Sequence, residues 1–255
     1  MTVQSIERAS RILRCFSATR PVLGISDIAR ETGLSTSTTH RLITAMEHCQ
    51  LVRQTENRRY ALGPLLMRLV RSGAVSTSLR MAALPAMTAL RDAEEETVGL
   101  HELHAGDVRV VVEQVESHHA LRRTYTELGI PLPLPYGAPG KVLTAFLPED
   151  RREVVLERPL EALTPATVTD LEALRAQLEE ARRDGYALSF AERIPGIHTI
   201  AAAIFDGDAS VVGCISVTGP DLRMPAERLH ALGPRVRDAA RRISEAYGGR
   251  RLPGE

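Results

Sequence analysis

The sequence predicts an α+β chain: an N-terminal winged helix-turn-helix, a linker helix, and a larger C-terminal domain on a mainly antiparallel sheet. Three observations predict it. A helix–glycine–helix pattern around Gly33 runs into a basic hairpin at 51–62. Apolar strand pairs flank Gly106-Asp107 and Asp206-Gly207-Asp208 further on. The charge also divides: residues 1–75 hold 11 Arg against 5 Asp and Glu, a net of +6, and the remaining residues carry −6. The expected boundaries are 1–63, 64–78 and 79–255.

A chain of 255 residues with 44% hydrophobic and 25% charged residues has the composition of a soluble globular protein. Glu7, Arg8, Arg11 and Arg14 interrupt any apolar signal-peptide core, and no apolar run reaches the ~18 residues of a membrane span. A cytoplasmic location with no membrane contact is expected. Cys15, Cys49 and Cys214 are odd in number and lack metal spacing, so they are read as reduced and packed. The basic first third implies an anionic partner, with nucleic acid the commonest; a compositional bias toward arginine would produce the same split.

Ile6, Ala9, Leu13 and Phe16 recur at helical spacing and predict a first helix. Pro21 and Gly24 break the chain. Ser26 is expected to cap a second helix through Thr32, with Ile28 and Ala29 inward. Gly33 supplies the positive φ of a tight turn, and Ser35 caps a third helix running to about Cys49. With Leu42, Ala45 and Met46 inward, its outer face carries Ser37, His40, Arg41 and Thr44, after a Ser35-Thr36-Ser37-Thr38 start. Short hydroxyls, an imidazole and a guanidinium suit phosphates and base edges of double-stranded DNA, although a solvent face on a plain helical domain would look similar. The hairpin after it, with Arg53, Arg58 and Arg59, reads as a wing placed to touch flanking phosphate or the minor groove.

Gly63-Pro64 restarts the chain as a helix with Leu65, Leu66, Leu69 and Val70 on one side. A single winged helix makes few contacts, so a homodimer or dimer of dimers is expected. A helix at about 79–95 leads into strands 97–103 and 108–115. Thr169-Asp170-Leu171-Glu172 reads as a capping box opening a helix with Leu171, Leu174, Leu178 and Ala181 on one face, closed by Gly185. Strands at 197–206 and 210–217 precede a last helix from about Pro225 to Tyr247.

In order and spacing, four blocks resemble the IclR family of bacterial regulators. These are Ser26–Leu42 with its wing, Gly129–Leu143 containing Gly140-Lys141, Asp184–Ile204, and Ile215–Pro220. The resemblance implies a GAF-like or profilin-like effector domain and a transcription regulator rather than an enzyme, with no cofactor. It implies effector contacts at Ala138, Pro139, Gly140, Ser189, Ile197, Thr199, Ser216 and Thr218. Repression is preferred over activation, because occupying a promoter needs no polymerase contact.

The residues add a chemical leaning. Gly140-Lys141 is expected to open a helix whose N–H groups near 139–141 attract anions, and Ser216 and Thr218 share one strand face. A small organic acid fits such a cleft, though without the resemblance both hydroxyls read better as ordinary strand residues with satisfied bonds. Lys141, the single lysine, lacks the neighbours of a phosphate loop and reads as a brace. His101, His104, His118 and His119 with Glu102 and Glu116 lack the geometry for zinc without chain reversal, and no metal is assigned; His101 lining the pocket is an equal reading. A small-molecule enzyme with an accessory DNA-binding domain is the competing class.

Overall fold

Ile12, Ile28 and Ile43 are fully buried and pin three helices together, each contributing about 1.5–3 kcal/mol relative to exposure. They lie on α1 (Gln4–Arg14), α2 (Ile25–Thr32) and α3 (Thr36–His48). The structure, a computed structural model, describes residues 4–17, 20–71, 78–125 and 127–248. It divides into the units Met1–Thr77 and Ser78–Glu255.

Gly33 ends α2 at φ 67°, the left-handed conformation expected of the turn, and its N–H donates to Ala29 O. The cap at the front of α2 differs from expectation. The helix begins at Ile25 behind Gly24, and no side chain caps it, so Ser26 lies inside the first turn. On α3 the inward residues are Thr39, Ile43 and Met46, with Leu42 half-buried. Ala45 is exposed, because Ile43 takes the inward stripe. Behind α3, β2 (Val52–Gln54) and β3 (Tyr60–Leu62) form the hairpin, and β1 (Val22–Leu23) adds a third antiparallel strand beside β3. β1 is too short for any periodicity to reveal. The turn of the hairpin holds Asn57 and Arg58 at positive φ. α4 (Pro64–Arg71) follows; residues 72–77 of the expected linker helix lie outside the described residues.

The second unit is built on a six-stranded antiparallel sheet of order β6-β5-β4-β9-β8-β7. These strands are β4 (Thr97–His104), β5 (Val108–Val115), β6 (Pro131–Pro133), β7 (Ala187–Phe190), β8 (Ile197–Phe205) and β9 (Val211–Pro220). Alternation sorts the side chains. Ile200, Ile204, Ile215 and Val217 face α5 (Ser78–Glu94) and α9 (Ala226–Tyr247), while Ala201, Ala203, Phe205 and Cys214 face α6 (Gly137–Phe146), α7 (Glu149–Leu156) and α8 (Leu171–Asp184). Small residues on the second face let α6 approach the sheet.

Two helix starts move. Asp170, not Thr169, caps α8 by accepting from Ala173 N at 2.8 Å, which leaves Leu171 half-exposed while Leu174, Leu178 and Ala181 are buried. α6 begins at Gly137, three residues before the expected Gly140, so its unpaired N–H groups are those of Gly137, Ala138 and Gly140. Among the described residues no helix is long and apolar enough to cross a membrane.

Candidate functional site

The N-terminal unit presents one polar helix face. Ser35 caps α3, accepting from Thr38 N at 3.2 Å and donating to Thr38 Oγ1 at 2.8 Å. Those two hydroxyls serve the helix itself, and Thr44 donates to His40 O at 3.0 Å. Thr36, Ser37, His40 and Arg41 stand exposed beside Thr44. In the hairpin, Arg53 and Arg58 are exposed, whereas Arg59 donates to Val22 O at 2.9 Å and so ties β3 to β1. All ten expected DNA-facing residues lie on α3, its cap or the hairpin, but Ser35, Ser37, Thr38, Thr44 and Arg59 already have partners within the unit.

The C-terminal unit encloses a small cavity between the sheet and the start of α6. Its lining includes Ala138, Pro139, Ser189, Ile197, Thr199 and Thr218, six of the eight residues the resemblance implied. Gly140 is not among them. A Cβ there would meet Pro135 C at 2.5 Å, so its bareness serves the packing of α6 against the preceding loop. Ser216 lies one layer behind, fully buried, and reaches the cavity through its hydrogen bonds to His101 and Tyr125.

Residues that periodicity did not single out supply the charge. Arg109, Arg123 and Arg193 line the cavity with His101 and Tyr125. Arg109 is 2% exposed, and burial together with the Arg193 charge lowers its pKa to about 10. Its Nη1 donates to His101 Nδ1 at 2.8 Å. Arg123 and Arg193 share the Glu127 carboxylate, Arg123 at 2.6 Å, and Arg123 also lies 4.7 Å over the Tyr125 ring. Burial, then the charge of Arg109, holds His101 well below its ordinary pKa, so the ring is neutral. Tyr125 bonds Thr218 Oγ1 at 2.9 Å and occupies the space beside Gly99, where a Cβ would lie 2.8 Å from its ring. Arg109 did leave a signal, as the one charge inside the run Val108–Val112. Arg123, Tyr125 and Arg193 sit in loops and left none.

Lys141 points to the other side of α6. It donates to Glu192 Oε1 at 2.6 Å and to Gln177 Oε1 at 2.8 Å, and burial lowers its pKa against the pull of Glu192. Thr164 and Thr167 donate to the Glu192 carbonyl at 3.2 and 2.6 Å. This pair therefore anchors the loop that carries Arg193. Both ring nitrogens of His101 are engaged, and among the described residues no three His, Cys, Asp or Glu side chains could hold a metal ion.

Residues 5–56 match the IclR helix-turn-helix domain and residues 72–245 match the C-terminal part of bacterial transcriptional regulator IclR. The transcriptional repressor IclR of Escherichia coli is 31% identical over 252 residues, 98% of this chain and 92% of that protein. The HTH-type transcriptional repressor AllR of Klebsiella pneumoniae is 32% identical over 247 residues, covering 96% and 90%. Among solved structures, an IclR homologue from Microbacterium hydrocarbonoxydans, complexed with 4-hydroxybenzoate, superposes with a TM-score of 0.84 at 28% identity over 96% of this chain and 99% of that one. These relatives are regulators, not enzymes. With both domains matched in order, the chain belongs to the IclR family of DNA-binding bacterial transcriptional regulators.

Proposed function

We propose that the chain is a repressor whose affinity for its DNA operator is set by a small organic carboxylate held in the C-terminal cavity. The observation that carries the ligand class is the guanidinium-rich lining of that cavity, from Arg109, Arg123 and Arg193. Two relatives named as repressors support repression, and the 4-hydroxybenzoate of the solved neighbour is itself a carboxylate. Ala138, Pro139, Ser189, Ile197, Thr199 and Thr218 shape the cavity, and Ser216 orients its polar wall. On the DNA side, Thr36, Ser37, His40, Arg41 and Thr44 face the major groove, with Arg53 and Arg58 on flanking phosphate.

The working assembly is a homodimer or a dimer of dimers, because one short recognition helix gives too little contact for specific binding. Met67 and Leu69 of α4 are exposed apolar residues, which suits a linker that pairs with a second copy. The test begins with recovery of the genomic fragments that the purified protein binds. Operator affinity is then titrated with small carboxylates. The wild type should respond, and the pair Ser216→Ala with Thr218→Val should bind DNA normally but lose the response. A normal response in that variant would move the pocket elsewhere.

A further inference from the structure

Arg109 Nε is the one buried side-chain polar atom among the described residues that has no hydrogen-bond partner. The same guanidinium makes no ion pair with any described carboxylate, yet it is almost fully buried beside the cavity. A buried cation without a counter-ion is costly, and a fold tolerates it where a ligand supplies the charge. Around the cavity stand three guanidiniums, Arg109, Arg123 and Arg193, against the single carboxylate of Glu127, an excess of two positive charges. His101 is neutral and adds none.

The hydrogen bonds of the wall have a direction. A guanidinium only donates, so His101 Nδ1 accepts from Arg109 and the ring proton sits on Nε2. That proton goes to Ser216 Oγ at 3.0 Å. Thr218 donates to Thr199 Oγ1 at 3.2 Å, so Thr218 accepts from Tyr125 at 2.9 Å; the one Ser216 proton then has two acceptors in reach, Tyr125 Oη at 3.1 Å and Gly99 O at 3.5 Å. Each hydroxyl has one proton; Arg109 fixes the His101 tautomer and with it Ser216 as an acceptor, and the Thr218–Thr199 bond fixes the other end of the chain. It ends with the Thr199 hydroxyl proton committed to no described neighbour, at the cavity lining. The N–H groups of Gly137 and Ala138, at the start of α6, add donors there.

We infer that Arg109 is the specificity-determining residue of this pocket and that the ligand is a short dicarboxylate, a dianion with acceptors toward both Arg109 and Thr199. This rests on the reading that the cavity is the effector site. A lining with donors at both ends rejects ligands that present an amine or amide donor, and the charge excess selects two carboxylates over one. The space beside Thr199 is about 30 Å³, and Arg109 and Arg193 also line a space of about 410 Å³, so the shortest spacer is the first to be tested.

The probe is malonate, with propionate as the monoanion of equal chain length and malonamide as the neutral analogue, titrated by calorimetry into the full-length protein. Malonate should bind at least about tenfold tighter than propionate, the scale of one lost charge-assisted contact, and malonamide should not bind. Arg109→Met should bring malonate down to the level of propionate. Its ligand-free melting temperature should not fall, because an uncompensated buried charge is replaced by an apolar chain of similar length. Thr199→Val should weaken malonate binding and Thr199→Ser should restore it. Equal affinity for malonate and propionate, or undiminished malonate binding by Arg109→Met, would overturn the inference. If a monocarboxylate or neutral compound shifts operator affinity, and Thr218→Val abolishes that shift, the dianion fails while the effector reading stands. If small molecules bind but Thr218→Val leaves every operator response unchanged, the effector reading itself fails.

Discussion

Arg109 Nη1 lies 2.8 Å from His101 Nδ1, and burial, reinforced by the guanidinium charge, holds the imidazole neutral. The unfolded chain protonates this histidine near its ordinary pKa of 6.5, whereas the folded protein does not. Between these two pKa values the unfolded state binds more protons, so stability is full above about pH 6.5 and falls as the pH drops below it. The C-terminal unit should lose up to about 1.4 kcal/mol per pH unit between pH 6.5 and 5. Urea unfolding across that range measures the slope, and His101→Gln should flatten it. A wild type indifferent to pH there would mean that His101 protonates in place.

Lys141 and Glu192 form a buried pair that should show the asymmetry of such pairs. Lys141→Met alone leaves the Glu192 carboxylate buried without its cation and should cost about 3–5 kcal/mol in urea unfolding. The double variant Lys141→Met with Glu192→Leu should recover most of that loss. A double variant as unstable as the single would assign the cost to packing rather than charge.

Gly140→Ala separates packing from ligand contact. The new Cβ would meet the Pro135 backbone at 2.5 Å, an overpacking expected to cost about 1–3 kcal/mol. The expected signature is a lowered melting temperature. A variant of native stability that has lost only its ligand response would restore Gly140 to the binding wall.

Arg41→Ala and Arg59→Ala should differ on DNA. Arg41 is exposed on α3, and its loss should weaken operator binding by about 1–3 kcal/mol with relaxed sequence preference. Arg59 braces β1 through Val22 O, so Arg59→Ala should act first on thermal stability of the N-terminal unit. Fluorescence anisotropy paired with thermal melts distinguishes the two. Equal DNA defects with unchanged melting would place Arg59 on the DNA as well.

Much of this architecture was legible where local chemistry is decisive. Gly33 at positive φ, the Ser35 cap, the antiparallel pairs around Gly106-Asp107 and Asp206-Gly207-Asp208, and the Leu174, Leu178 and Ala181 stripe all follow from short-range rules. Helix starts were less legible. Asp170 and Thr169 are both good caps, and Gly137 stands three residues before a glycine that looks equally suited to begin α6. The charged half of the cavity was hidden for a different reason. Arg123, Tyr125 and Arg193 come from loops that meet only when the sheet is assembled, and 91 residues separate Tyr125 from its Ser216 partner. Hydroxyls on β9 were visible, and Arg109 stood out as the one charge in an apolar strand, but nothing local joined it through His101 to Ser216.

Ligand binding in the C-terminal cavity is expected to change the grip of the N-terminal domain on DNA. The most direct measurement is operator affinity of the full-length protein by anisotropy, at fixed salt, with and without a saturating carboxylate that calorimetry shows to bind. A change of about 5–150-fold is expected, the range of a 1–3 kcal/mol coupling, and the operator should in turn shift the affinity for the carboxylate by the same factor. Identical operator affinity with the cavity filled would contradict the account.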